Sequence, residues 1–561
     1  MFPRTVSAPG KVLVAGGYLV LDRPNIGLVL AATARFFTSV KWSEEKAPVR
    51  VMTPVEGGNE PADPLLRIKV ESPQFRSTHW YELVAYDDGR LPTLAASFDQ
   101  ISNIFVERTV TYVLGYLLHA DGAEGGSAVR EALHRARNEG HSLVIKLRAD
   151  NDFYSQTSQL RARGLACTSS ALASLPPFLE CPLSEDGTVM VAKTGMGSSA
   201  ALVSSLVGAL LSFFGAARLP CFDDILDRGS AIEAEGGCSR VNESLDLTHN
   251  LAQVCHCVAQ GKVGSGFDVS AAVYGTNIYT RFSPSELSDA LSAVDAPFPT
   301  DESTGGPSAA PTPTERIATC IQGRGTWDSK RGQLRLPSCF RLLMGDVCGG
   351  SSTPSMVRKV LAWRADPSTA DQAKDLWSTL GSTNTIIATN LNALAASASP
   401  DDYPSEGINF EAGAKVLSAL PYHKWTKTVW GGAPGAADTL EHLLQLQAAF
   451  SKARQLLREM GEGAGVPIEP PVQTKLVDAT SALPGVLCAG VPGAGGVDAV
   501  FAIVIHPDAE DGVRDLWANW SVGNANTNSE GVGAVVCPLL LTASEGGIQG
   551  GIVSTRKMSW E

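Results

Sequence analysis

Thr188-Val189-Met190-Val191-Ala192-Lys193-Thr194-Gly195-Met196-Gly197-Ser198-Ser199-Ala200 is the stretch on which the fold turns. Thr188 to Ala192 predicts a strand, Gly195 and Gly197 a loop, and Ala200 to Phe214 an apolar helix. Strand, glycine loop and helix in succession make an α/β unit. The helix N-terminus so created presents unpaired backbone N–H groups under a partial positive charge, and glycines ahead of it let a phosphate reach those donors. Ser198 and Ser199 add hydroxyls able to donate or to ligate magnesium, and Lys193 adds a point charge just upstream.

Two competing motifs bear on this loop. A Walker A loop needs G-x-x-x-x-G-K-[ST], and neither Gly10-Lys11 nor Gly261-Lys262 has the preceding glycine or the following hydroxyl. Gly195, Gly197 and Ala200 fit the dinucleotide pattern G-x-G-x-x-A, but no acid stands about 20 residues on, Asp223 coming only later. The loop alone leaves a dehydrogenase, a kinase and a purely structural turn open.

Upstream, Val12 to Val14, Gly16-Gly17, Leu28 to Ala32 and Phe36 to Val40 predict paired strands around a turn. Residues 43–160, with a strand at Thr78 to Tyr86 and a helix at Phe98 to His119, read as a peripheral elaboration. Downstream, a helix over Asp246 to Gln260 ends at Gly261 and opens into Lys262-Val263-Gly264-Ser265-Gly266-Phe267-Asp268. Five prolines among Gly, Ser and Thr from Pro297 to Pro313 mark a linker. Beyond it come a strand (Phe340 to Asp346), helices (Pro354 to Arg364, Gln372 to Leu394, Thr439 to Glu459) and two strands (Val486 to Ala489, Ala499 to Ile505) flanking a glycine-rich turn, Gly490 to Asp498. The expected division is 1–296, a linker over 297–335, and 336–561.

The 561 residues suffice for two or three domains, and 44% hydrophobic with 18% charged residues is a globular composition. A net charge of −13 argues against a nucleic-acid or anionic-membrane surface. Eleven cysteines with no C-x-x-C pair suit a reduced, cytoplasmic protein. Cys255 and Cys257 with His249 and His256 fall short of a zinc site, which needs a second pair; core or hydrogen-bonding roles suit both histidines. Val12 to Leu21 lacks a signal-peptide cleavage site. Thr194 to Ala217 carries no charge, yet Ser204, Ser205, Gly208 and Ser212 dilute it, so it reads as a buried core helix and not a membrane span.

Three segments taken together go further. Ser7-Ala8-Pro9-Gly10-Lys11 with Gly16-Gly17-Tyr18, then Gly195-Met196-Gly197-Ser198-Ser199-Ala200-Ala201, then Gly490 to Asp498, resemble in order the three motifs of the GHMP kinase superfamily. Within it, Ala259 to Asp268, Gly349-Gly350-Ser351-Ser352-Thr353-Pro354 and the Gly17-Tyr18 pair are similar to the eukaryotic, fungal-type phosphomevalonate kinases. The resemblance implies an α/β (α+β), two-domain fold: a left-handed βαβ unit in the N-terminal domain and a ferredoxin-like C-terminal domain. It implies ATP on Lys193 and Gly195 to Ala200, with Mg2+, and transfer of the γ-phosphoryl to 5-phosphomevalonate in isoprenoid and sterol precursor synthesis.

Lys11, Lys193 and Asp268 take the catalytic positions by the same resemblance. The acceptor falls to Lys11, Gly17, Tyr18, Lys262, Ser265, Gly266, Asp268, Ser351, Ser352, Thr353, Gly493, Ala494 and Gly495. Mevalonate kinases carry a magnesium-binding glutamate one helix before the aspartate, whereas Gln253 to Cys257 holds no acid, so magnesium falls to Ser198 and Ser199. A phosphate acceptor has a second pKa near 6 and is largely ionised at neutral pH, which shifts the demand from a base to cations. Bland alternatives are a helix N-cap for Asp268, a helix cap for Ser351 to Thr353 beside Arg358, and surface positions for the lysines. Rival functions are a kinase for an alcohol such as mevalonate, and a non-catalytic sensor on the same fold. The expected partners are small molecules only, with the chain a monomer or homodimer.

Overall fold

Strands β1 (Arg4–Ala15) and β2 (Ile26–Ser43) pair antiparallel from Arg4↔Val40 to Ala15↔Leu28 in the computed structural model, which describes residues 2–45, 64–86, 89–96, 103–119, 125–221, 237–292, 311–322, 327–347, 353–398, 410–427, 436–520, 536–544 and 550–555. Both faces of β1 are covered, which explains its near-continuous apolar run. Its register shifts between Pro9 and Lys11, and there the Lys11 N–H donates to the Met196 carbonyl at 3.0 Å.

Further strands are β3 (Leu66–Ser72), β4 (Ser77–Val84), β5 (Thr93–Ala96), β6 (Ser142–Ala149), β7 (Asn277–Thr280), β8 (Lys330–Gln333), β9 (Arg341–Asp346), β10 (Val486–Gly490), β11 (Ala499–Val504), β12 (Cys537–Pro538) and β13 (Val553–Thr555). Among the described residues they form a mixed sheet, ordered β13-β1-β2-β6-β3-β4-β5 with β7 and β8 joined through β2, and an antiparallel sheet, β10-β11-β9-β12. The molecule is thus mixed α/β.

Helices α1 (Ile104–His119), α2 (Ser198–Phe213), α3 (Gly237–Gln260) and α4 (Phe267–Tyr274) accompany the first sheet. Helix α2 is buried along nearly its whole length and lies across β1 and β2, with Ser205 Oγ 2.8 Å from Thr38 Oγ1. Its apolar composition therefore serves a protein core; no helix among the described residues is long and apolar enough to cross a membrane. Helices α5 (Thr353–Ala365), α6 (Ala370–Ser397), α7 (Ala436–Ala464), α8 (Pro471–Ser481) and α9 (Glu510–Ala518) follow. One buried cluster runs from Leu28 and Val203 to Leu342 and Leu391, so the core is shared by both halves.

Three expectations need correction. Thr188 to Ala192 is not a strand: it holds an isolated bridge, Leu183↔Val189, beside a tight turn at Gly187, and Met190 and Val191 lie exposed with no sheet edge to join. Residues 43–160 are not peripheral throughout, because β6, within that span, pairs directly with β2 and buries Leu143 and Ile145 completely. Within 297–335, residues 313–322 form a helix with Ile317 and Ile321 buried, and β8 pairs with β7; the Pro-rich stretch up to 310 lies outside the described residues. The chain also returns at its far end, where β13 pairs with β1.

Candidate active site

Two helix N-termini open into one cleft of about 660 Å³. Helix α2 starts behind Gly197 (φ +74°) and α4 behind Gly266 (φ +81°), and neither cap residue supplies a side-chain bond. First-turn N–H groups of α2, and those of α4 apart from Val269, are therefore left for water or a ligand, and both helix dipoles add positive potential. At Gly197 a Cβ would meet Lys11 Cε at 3.0 Å and Cγ at 3.1 Å, so the glycine makes room for the lysine.

Lys11 reaches the loop from β1. Its Nζ donates to the Gly195 carbonyl at 2.8 Å and stands 5.6 Å from the centre of the Phe267 ring. Burial lowers its pKa below the usual lysine range, and the charge of Asp268 opposes that fall. Lys193, Lys262, Arg281 and Arg364 bring further positive charge to the cleft wall, against Asp22 and Asp268. Asp268 lies in the first turn of α4 and its Oδ1 accepts from Val269 N at 3.0 Å; the cap is Gly266, so Asp268 is not the N-cap.

The arginines differ in use. Arg281 spends its donors on carbonyls, from Nε and Nη2 to Gly264, from Nη2 to Val263 and from Nη1 to Leu21, and so holds the 261–265 loop onto the turn after β1. Arg364, near the end of α5, pairs with Asp22 at 2.6 Å and lies over Trp377, 4.4 Å from the ring centre. It brings the second half of the chain to the cleft.

Helix α3 supplies a polar wall. His256 Nε2 lies 3.1 Å from Ser199 Oγ and 3.0 Å from Gln260 Nε2. Burial lowers the His256 pKa, with Asp268 opposing and Lys262 adding to the fall, so the ring is neutral at pH 7. Gln253 Nε2 donates to the Gly266 carbonyl at 2.8 Å, which ties α3 to the start of α4, while the buried Gln253 Oε1 has no partner among the described residues.

Of the residues expected at the site, Lys11, Lys193, Gly195, Met196, Gly197, Ser198, Ser199, Lys262, Ser265, Gly266 and Asp268 line this cleft. Ala200 does not; it is buried under the loop at 1% exposure. Gly17, Tyr18, Gly493, Ala494 and Gly495 meet one another outside that lining: Tyr18 OH donates to the Ala494 carbonyl at 2.7 Å, and a Cβ on Gly17 would come within 2.3 Å of the Gly493 carbonyl oxygen. Close backbone packing is thus enough to require Gly17 and, against the Ile468 carbonyl, Gly495, whereas Gly493 has open space around it and is favoured by its φ of +68°. Ser351 and Ser352 lie outside the described residues, as does the side chain of Thr353, and Arg358 is exposed away from the lining. Sequence reasoning missed Asp22, Gln253, Gln260, Arg281 and Arg364, and gave His256 only a core or hydrogen-bonding role. Among the described residues no three His, Cys, Asp or Glu side chains gather as a metal site.

No family model matches the chain. It is 38% identical over 526 residues to "Phosphomevalonate kinase, peroxisomal" of Arabidopsis thaliana, with 92% of each chain covered. To phosphomevalonate kinase erg8 of Aspergillus fumigatus it is 33% identical, covering 92% of this chain and 90% of that one. A solved structure of Streptococcus pneumoniae phosphomevalonate kinase in complex with phosphomevalonate and AMPPNP superposes with a TM-score of 0.49 at 12% identity, covering 92% of this chain and 97% of that chain.

Proposed function

Because the chain belongs to the phosphomevalonate kinase family, we infer that it transfers the γ-phosphoryl group of ATP to 5-phosphomevalonate, giving the diphosphate and ADP on the way to isoprenoid and sterol precursors. The observation that carries this reading is the cleft: two helix N-termini without side-chain caps and five cationic side chains line one space together with Asp22 and Asp268. Two polyanions must meet for this reaction, and positioning with charge neutralisation is most of what a protein can contribute.

The ATP phosphates lie on the N-terminus of α2, between Lys193 and Lys11. The acceptor lies along Ser265 to Asp268, with Lys262 and Arg364 meeting its own phosphate, and Arg364 leaves Asp22 to do so. Lys11 bridges both substrates. Asp268 orients the acceptor oxygen and keeps Lys11 charged, a lesser need for a base following from an acceptor already ionised at pH 7. Gly17, Tyr18 and Gly493 to Gly495 act indirectly, by locking the turn after β1.

Magnesium would be held by Ser198, by Ser199 and by the unpartnered Gln253 Oε1. Hard oxygen donors without a carboxylate cage fit an ion that arrives on the nucleotide and keeps several waters. Bound there, it would neutralise phosphate charge.

The same premise makes the first sheet with α2 to α4 the nucleotide-binding domain with its left-handed βαβ unit, and the second sheet with its helices the ferredoxin-like domain, with the boundary inside 297–335. We place the protein in the cytoplasm as a monomer or homodimer; cell fractionation and light scattering test these two points. The reaction itself is tested by coupled ADP release with mevalonate, 5-phosphomevalonate, homoserine and galactose. Turnover on 5-phosphomevalonate alone is expected; preference for mevalonate would replace this reading with an alcohol kinase.

A further inference from the structure

Away from the cleft, two thiols meet across the halves of the chain. Cys167 stands half-buried in the turn ahead of residues 169–173, and Cys537 opens β12 with 1% of its surface exposed. Both belong to one apolar cluster with Leu160, Leu172 and Leu175, and their side chains are in hydrogen-bonding contact. The surroundings hold this contact in place. Arg514 Nη1 donates both to Ser169 Oγ at 3.0 Å and to the Leu539 carbonyl at 3.1 Å, and Leu540 N donates to Asp152 Oδ1 at 3.0 Å.

Cys167 also differs from several of the buried cysteines. Contact with Cys537 lowers the Cys167 pKa below the ordinary thiol range; burial and Asp346 oppose this, while Thr157 and Arg161 assist it. Burial instead pushes Cys181, Cys257 and Cys339 up to about 11. Thiolate, not thiol, is the nucleophile, so near neutral pH Cys167 is the reactive one and the neighbouring Cys537 is placed to resolve what forms on it.

We propose that Cys167 and Cys537 are an oxidation site that closes to a disulfide in the presence of a hydroperoxide, covalently joining the turn before residue 169 to strand β12. The Cys167 thiolate sulfur attacks one peroxide oxygen; the O–O bond breaks and, with a proton, water or an alcohol leaves, giving the sulfenic acid. The Cys537 sulfur then attacks the Cys167 sulfur, its S–H bond and the S–O bond break, and water leaves as the S–S bond forms. Two thiols are oxidised by two electrons and one hydroperoxide is reduced by two.

The test treats the full chain with hydrogen peroxide, counts free thiols under denaturing conditions and maps linked peptides by mass spectrometry. Expected is a fall from eleven thiols to nine, with a Cys167–Cys537 peptide two hydrogens lighter than its parts and restored by dithiothreitol. Cys167→Ser, a half-exposed and conservative change, should abolish the bridge, and Cys537→Ser should leave Cys167 to advance to sulfinic acid. A count that stays at eleven, a bridge between any other pair, or Cys167 sulfinic acid in the wild type with Cys537 still reduced overturns the proposal.

Discussion

Gly197 joins two demands at one Cα: a left-handed backbone that opens α2, and empty space that Lys11 fills. Gly197→Val is strained on both counts and should weaken ATP binding about tenfold or more while acceptor binding changes little, as read by calorimetric titration of each substrate. Equal loss for both would remove the nucleotide from this loop. Asp268→Asn takes away the charge that opposes the burial-driven fall of the Lys11 pKa. Turnover on 5-phosphomevalonate should drop by roughly 10² to 10³, and the alkaline limb of its pH profile should move to lower pH; an unchanged profile would make Asp268 structural. His249 is buried with a pKa lowered to about 4 by desolvation, Arg331 adding to the effect, and Asn250 and Asp246 opposing it. The unfolded chain therefore takes up this proton first on acidification. Stability from this group is complete above about pH 6.5, falls as the pH drops toward 4 and then levels off, a span of about 3 kcal/mol. His249→Gln should flatten that span in urea melts, and an acid limb as steep as wild type would assign the loss to other groups. Residues next to obligatory glycines, such as Lys11 and Lys193, were legible in the sequence because the glycines mark where backbone must approach something. Arg364 and His256 were not, since their partners Asp22 and Ser199 stand far away along the chain.

The loop from Gly261 to Gly266 keeps its shape through side chains that are not part of it: Gln253 holds the Gly266 carbonyl, Tyr279 that of Ser265, and Arg281 two more. Arg281 holds two of its carbonyls and that of Leu21, a fork that lysine cannot reproduce. Arg281→Lys should leave the melting temperature nearly unchanged, yet lower kcat/KM for the acceptor by about tenfold and raise amide exchange in 261–266. Wild-type exchange in that loop would mean that the clamp is redundant. At this scale the sequence was read best where a periodic pattern is long: α2, α6 and α7 stand within a few residues of where their apolar spacing put them, while α3 ends where expected at Gln260 but starts at Gly237, well before Asp246. It was misread at Thr188 to Ala192, where strand-forming residues meet no neighbouring edge. Sheet propensity describes a surface waiting for a partner, and the partner is a property of the fold.

Five prolines near residue 300 suggested a clean division of the molecule, yet the shared core and the return of β13 to β1 tie the ends together. Composition reports where a chain is unlike its average, not which distant segments pair. Gly551 accepts from Arg35, Ile552 is fully buried and Val553 nearly so. A chain cut after Gly550 should lose several kcal/mol, about 2 for each large apolar side chain removed from the core, and melt well below the full chain in a thermal scan; identical melting would make β13 dispensable. The pairing of Thr5 with Thr555 also sets an order of events in the cell. Strand β1 leaves the ribosome long before β13, which follows it in the chain by more than the length of both sheets, so over that interval a nascent chain carries an open strand edge, the feature through which growing chains on one messenger stick together. Completion of this sheet waits for β13, and a chaperone that masks the β1 edge until β13 emerges would raise the yield of active protein more than one that acts on the finished chain.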